Sequence, residues 1–143
     1  MPLKVPIVMS EFAKLAVAAI LIYSAIEKLI NHNAFQASMT AARVSPLLAT
    51  IVSKVLPVVE VVVAGLLSFN KTRDIGIQLS IALFIVFIAY ILYMQIWLTD
   101  LPCSCGGLSS GMSWNEQLSF NIIIFFLLIY VKFISGKQKC LSL

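Results

Sequence analysis

Four long apolar runs constrain this chain more than any other feature. A bilayer hydrocarbon core of about 30 Å is crossed by about 20 apolar residues in a helix, where every backbone N–H and C=O finds its partner within the segment. Residues 12–30, 46–69, 75–98 and 117–134 meet that requirement. The chain has 143 residues, of which 61% are hydrophobic and 11% charged. A soluble domain is about half apolar and about a quarter charged. One small core cannot bury such an excess, so lipid must be the solvent for much of the surface. The expectation is an all-α integral membrane protein, a four-helix transmembrane bundle forming one domain over residues 1–143. For the first run the competing reading is a cleaved signal peptide. Glu11 before it, Glu27-Lys28 after it and the lack of a small-x-small cleavage site favour a retained helix.

Charge placement predicts the orientation. Lys4 and Lys14, Lys71 and Arg73, and Lys132, Lys137 and Lys139 fall on one side of a four-span chain. The other side holds Lys28 and Arg43, with Lys54 in or near the second run, and the segment from Thr99 to Glu116 has no Lys or Arg. Short loops rich in Lys and Arg stay cytoplasmic, so both termini are expected inside and the Thr99–Glu116 loop outside. The net charge of +4 comes without a basic run or a basic-aromatic patch, so nucleic acid is not an expected partner. Local signals agree with these boundaries. Trp97 and Trp114 stand where an aromatic belt would hold helix ends, and Ser113-Trp114-Asn115-Glu116 reads as a capping box. Ser45-Pro46 reads as an N-cap followed by proline at the first helical position. Phe35 and Met39, four apart, suggest a short interfacial helix.

The outer loop carries Pro102-Cys103-Ser104-Cys105-Gly106-Gly107. A disulfide between Cys103 and Cys105 closes a very small ring, and a strained disulfide is more readily exchanged. Outside the cytoplasm such a pair forms and persists. Catalytic thiol–disulfide exchange by Cys103 and Cys105 is therefore the leading expectation, with two unreacted thiols or a static surface disulfide as the alternative. Soft thiolates also select Cu(I) or Zn, and Met112 and His32 fall on the same side, but no zinc-ligand spacing occurs and no metal site is assigned. Cys140 falls on the opposite side and is expected to be a reduced bystander.

Glu60 interrupts the apolar run Val58–Val63, ten residues before Asn70 and so about 15 Å deep. A charge at that depth costs at least about 2.5 kcal/mol, so Glu60 should face the bundle interior, protonated or paired. Either it serves a proton relay or a bound quinone-like molecule, or it is an interhelical tie. Pro57, one turn earlier, frees a backbone carbonyl nearby. Tyr90, Tyr93 and Gln95 in the third run and Asn121 in the fourth would line a cavity beneath the Cys loop. Tyr23 and Glu27 share a helix face, and Lys28 is expected to snorkel outward.

Taken together, Lys28 at the end of the first helix, Ser45-Pro46, Pro57 with Glu60, and the Cys-x-Cys-x-Gly loop of Cys103, Cys105 and Gly107 resemble the MauE/DoxX-like family of redox-associated membrane proteins. The resemblance spans nearly the whole chain. Gly106 stands where that family often has an aromatic residue. The resemblance implies disulfide handling outside the cytoplasm, in the bacterial inner membrane, with a periplasmic thioredoxin-like or disulfide-containing protein as partner. A role of the methylamine-utilisation type is also implied. The DoxX and DoxD relatives imply quinone-linked electron transfer, in which Glu60, Tyr90, Gln95 and Asn121 would contact the cofactor. The other function classes are a Cu(I)-handling protein, an assembly scaffold, and a transporter built on Glu60. The last fits least, since no inverted repeat or broken-helix pair is visible.

Overall fold

The computed structural model describes residues 4–98 and 112–142. Five helices make up the described residues: α1 (Lys4–Ile30), α2 (His32–Ala41), α3 (Pro46–Ser68), α4 (Arg73–Trp97) and α5 (Trp114–Ser142). α1, α3, α4 and α5 are each long and apolar enough to cross a membrane. Phe12, Leu47, Ile96 and Phe126 all point away from the bundle, as they would toward lipid. The protein is a multi-pass membrane bundle, and its even number of spans brings both termini to one end. The two outermost spans run past the apolar stretches read from the sequence. α1 begins at Lys4 rather than at residue 12, and α5 continues to Ser142 rather than stopping at residue 134. Hydrophobicity marks only the part of a helix that lies in lipid. The backbone ladder continues into the headgroup zone on polar residues such as Lys137 and Gln138.

α1 and α3 form the tightest part of the core. Ala13, Val17, Ala18 and Leu21 of α1 pack on Val63, Ala64 and Leu67 of α3. Small residues let two backbones approach closely where the hydrophobic effect gives no drive between helices in lipid. α4 adds Ile77 and Phe84 to this cluster, and α5 adds Ile124, Leu128 and Val131.

The short helix expected around Phe35 and Met39 is α2, and Phe35, Ser38 and Met39 share its buried face. Phe35 and Met39 meet Ala49, Val52 and Leu56 of α3, while Ala42, just past its end, joins Ile91 and Met94 of α4 and Trp114 of α5. α2 therefore ties together helices from both sides of the bundle. It ends in a Schellman turn. Arg43 N–H donates to Thr40 O at 3.0 Å and Val44 N–H to Met39 O at 3.2 Å, with Arg43 in the left-handed region at φ 63°. A non-glycine residue there costs about 1 kcal/mol. Val44 packing back against the Phe35–Met39 cluster offsets that cost. Ser45 then caps α3 as expected, its Oγ accepting Leu48 N–H at 3.3 Å.

Polar contacts close the two ends. At the end holding the termini, Glu11 pairs with Lys14 and with Arg73, each at 2.8 Å, and Asp74 pairs with Lys139. At the other end the capping box forms as read. Ser113 N–H donates to Glu116 Oε2 at 2.9 Å, and Glu116 N–H donates to Ser113 Oγ at 3.3 Å. Trp97 is exposed, in keeping with a belt position, but Trp114 is 8% exposed. Trp114 packs on Ile91 and Met94 instead of facing lipid, because the first turn of α5 is covered by the α2–α3 connection.

Gly76 marks a close approach of α4 to α3. A Cβ at this position would lie 2.8 Å from Leu67 N and 2.9 Å from Leu66 C, whereas one at Gly65 would meet nothing within 4 Å. Gly76→Leu should therefore pry α4 from α3 and destabilise the bundle by about 1–3 kcal/mol. Gly65→Leu should leave the melting temperature in detergent within experimental scatter. Equal melting temperatures for the two variants would contradict the close packing at Gly76.

Candidate functional site

The centre of the bundle holds an ion pair. Lys28 Nζ lies 3.0 Å from Glu60 Oε1, and the two side chains are 1% and 0% exposed. Ser24, one turn before Lys28 on α1, accepts from Lys28 and donates to the same Glu60 oxygen at 3.1 Å. Phe87 of α4 and Phe35 of α2 turn their rings toward the ammonium, with centroids 5.2 and 6.0 Å from it. Four helices thus surround one charge pair.

The local sequence explains how each group arrives. On α1, Leu21, Ser24, Ala25 and Lys28 follow a three-four spacing and form one buried stripe. The expected outward snorkelling of Lys28 is therefore incorrect. Its stem lies on the stripe that faces α3, and the carboxylate there is a better terminus than a path along the helix to water. Tyr23 and Glu27 do share a face, but Tyr23 is half-exposed and takes no part in the pair. On α3, Glu60 is eight residues from Ser68 and fourteen from Pro46, hence about 12 and about 21 Å from the two helix ends. The interior placement read for Glu60 holds, and the form it takes is a pair. Pro57, also buried, lacks the N–H that would bond to Ser53 C=O, which loosens the α3 ladder one turn from the carboxylate.

The second carboxylate oxygen, Glu60 Oε2, is buried with no hydrogen-bond partner. One oxygen is thus held by Lys28 and Ser24 while the other stays open to accept a hydrogen bond or a proton. Such an arrangement suits proton exchange or contact with a polar ligand head better than it suits a saturated structural tie.

Other buried polar groups gather on the side of the pair nearer the α4–α5 connection. The Tyr90 hydroxyl is buried beside Ser38 of α2 but lacks hydrogen-bond geometry, and the Ser38 hydroxyl donates to Phe35 O at 2.8 Å. Asn121 is 2% exposed, and its Oδ1 has no partner. Gln117 is fully buried, with Nε2 3.5 Å from Met112 O. Gln95 Nε2 donates to Asn115 Oδ1 at 2.9 Å and links α4 to α5 at the rim. Tyr90 and Asn121 lie five and six residues along from that bridge, about 8 and about 9 Å in, and so occupy one level. On the other side of the pair, Ser80 is the only buried polar side chain among the described residues before the rim residues Ser10 and Lys14. Most of the buried polar groups beyond the pair therefore stand on the loop side, set among the apolar side chains of Phe35, Met39, Ile91, Met94 and Trp114.

Of the residues singled out from sequence, Glu60, Tyr90 and Asn121 face the interior, and Gln95 sits at its rim. Tyr93 is half-exposed and points away. Cys103 and Cys105 lie outside the described residues, while Met112 flanks the first turn of α5. Cys140 is exposed near the end of α5, on the side of the termini. Sequence reasoning missed Ser24, Gln117 and Phe87. The buried stripe on α1 was the signal for Ser24. Gln117 in the first turn of α5 resembles an ordinary surface residue until Trp114 and Ile124 are seen to be buried on the same helix.

The family model described as methylamine utilisation protein MauE matches residues 7–134. The chain belongs to the MauE family. No curated protein and no solved structure matches it. The matched part of this MauE-family protein takes in the Lys28–Glu60 pair, α2 and the whole α4–α5 connection, and ends before Lys137 and Cys140.

Removing one partner of a buried ion pair leaves an uncompensated charge, which costs about 3–5 kcal/mol, whereas replacing both by apolar groups is often neutral or stabilising. Glu60→Ala and Lys28→Ala should each lower the melting temperature sharply in detergent. The double replacement Lys28→Met with Glu60→Leu should recover most of the loss. A double variant as unstable as the sum of the singles would show that the two side chains act independently.

Proposed function

We propose that this MauE-family protein supports thiol–disulfide electron transfer at the outer face of the bacterial inner membrane. Both termini lie in the cytoplasm in this reading, and the Thr99–Glu116 loop faces the periplasm. Cys103 and Cys105 exchange with a periplasmic thioredoxin-like or disulfide-containing partner. A thiolate on one protein attacks a disulfide sulfur of the other to give a mixed disulfide, and the second thiol resolves it. Each full exchange moves two electrons and two protons between the two cysteine pairs. Disulfide maturation of the methylamine-utilisation type is one setting for this chemistry.

The observation that carries the reading is the open Glu60 oxygen within a charge pair at mid-membrane depth, below a polar layer on the loop side. Electron transfer by the thiols must be matched by proton transfer. Glu60, held beside Lys28 and Ser24, is a group able to take up and return a proton at its open oxygen, and the positive charge then left on Lys28 lies against the Phe87 and Phe35 rings. The carrier class with matching two-electron, two-proton stoichiometry is a quinone. Tyr90, Asn121 and Gln95, on the same side of the pair, are its proposed polar contacts, with Phe87 and Phe35 as ring neighbours.

Thiol trapping in intact cells tests this reading. A membrane-impermeant maleimide should label Cys103 and Cys105 from outside only after reduction, with Cys140→Ser as background. Labelling that requires permeabilised membranes would overturn both the orientation and the function. In the same cells, Glu60→Gln should leave the protein in the membrane but slow reoxidation of the pair after a pulse of reductant.

A further inference from the structure

The end of the bundle opposite the Cys loop carries a feature that the redox reading leaves unused. Two grooves flank the last turns of α5. One, of about 520 Å³, runs between Pro6 and Ile7 of α1 and Tyr130 and Ile134 of α5. The other, of about 1010 Å³, is a shallow open trough on the surface of α5 alone, along Ile129, Lys132, Gly136 and Cys140. Phe133, Lys137 and Leu141 border both and form the ridge between them. Gly136 faces the open space of the second groove, where a Cβ would meet nothing within 4 Å. Lys137 lies along the ridge with its ammonium 5.0 Å from the Phe133 ring centroid.

The charges at this end are unevenly matched. Glu11 is engaged by Lys14 and Arg73, and Asp74 by Lys139. Lys132 and Lys137 have no ion pair among the described residues. Depth gives these two cations a common surrounding. They are 18 and 23 residues beyond Trp114, hence about 27 and about 35 Å along α5, and so flank the far boundary of a hydrocarbon core about 30 Å thick. Apolar grooves run into the hydrocarbon while uncompensated positive charge stands at headgroup depth.

We propose that this site holds one anionic diacyl phospholipid, with its phosphate at Lys137 and Lys132 and one acyl chain in each groove. Two grooves meeting at one cation match two chains leaving one headgroup. A second copy of the chain would bring the same unpaired lysines to this face and repel. Free phosphate would leave both grooves without an occupant. The site is independent of the thiol chemistry, and Lys137 lies beyond the residues that the family model matches.

Native mass spectrometry of the detergent-purified protein tests the proposal, with phosphatidylglycerol and phosphatidylcholine of identical chains as probes. The wild-type protein should retain phosphatidylglycerol preferentially. Lys132→Gln and Lys137→Gln should each weaken that retention about fivefold, the factor one lysine contributes beside anionic lipid. Gly136→Leu, which fills the second groove without changing charge, should weaken retention of both lipids, with an unchanged melting temperature confirming the fold. Equal retention of the two lipids, or wild-type retention by Lys137→Gln, would overturn the proposal. So would displacement of the lipid by millimolar inorganic phosphate, which would indicate an anion site without chain seats. A dimer that forms on delipidation and dissociates in Gly136→Leu would assign the grooves to a second copy instead.

Discussion

Everything in this bundle is arranged around the need to keep Lys28 and Glu60 together in a medium that tolerates neither alone. A lone charge at the bilayer centre costs at least about 2.5 kcal/mol, and losing one member of a buried pair costs about 3–5 kcal/mol. That is a sizeable share of a domain's net stability of about 5–15 kcal/mol. The constraint fixes the rotation of α1 and α3 about their axes, since Leu21, Ser24, Ala25 and Lys28 must face Glu60 and Val63. It also fixes their relative height. α2 and α4 then complete the enclosure through Phe35 and Phe87. Apolar packing alone would leave several rotations of four greasy helices nearly equivalent, because lipid is as apolar as the core.

The pair also divides the interior. Toward the α4–α5 connection lie Tyr90, Asn121 and Gln117, and toward the termini lie Val17, Leu67, Ile77 and Val131. Buried polar groups gathered on one side of the pair and packed hydrocarbon on the other fit the proposed proton exchange with the loop side better than they fit a conduit through the membrane. The opposite end has a different character, with its acids engaged in ion pairs and lysines left over at headgroup depth.

Much of this is legible in the sequence alone. Length and apolarity place a membrane helix without reference to its neighbours, so all four spans emerged, as did the Ser45 cap and the Ser113–Glu116 box, which depend only on residues within one turn. Glu60 stood out because a carboxylate among valines has few places to go. Lys28 did not, because a lysine near a helix end has an ordinary explanation in snorkelling. Only the position of α3 shows that its stem points inward. The burial of Trp114 likewise depends on where Ala42 and Val44 come to rest. Local chemistry was legible, and long-range partnership was not.

The central claim is that the Lys28–Glu60 pair serves the redox cycle of Cys103 and Cys105 and is more than a structural tie. It is tested most directly by following the cysteine redox state in cells carrying the Lys28→Met, Glu60→Leu double replacement, which keeps the core filled while removing both charges. After a brief pulse of reductant, alkylation gel shifts report how fast the cysteine pair returns to its steady state. The account predicts a folded, membrane-inserted protein whose cysteines recover far more slowly than in wild type. Recovery at the wild-type rate would contradict it and leave the pair with a structural role alone.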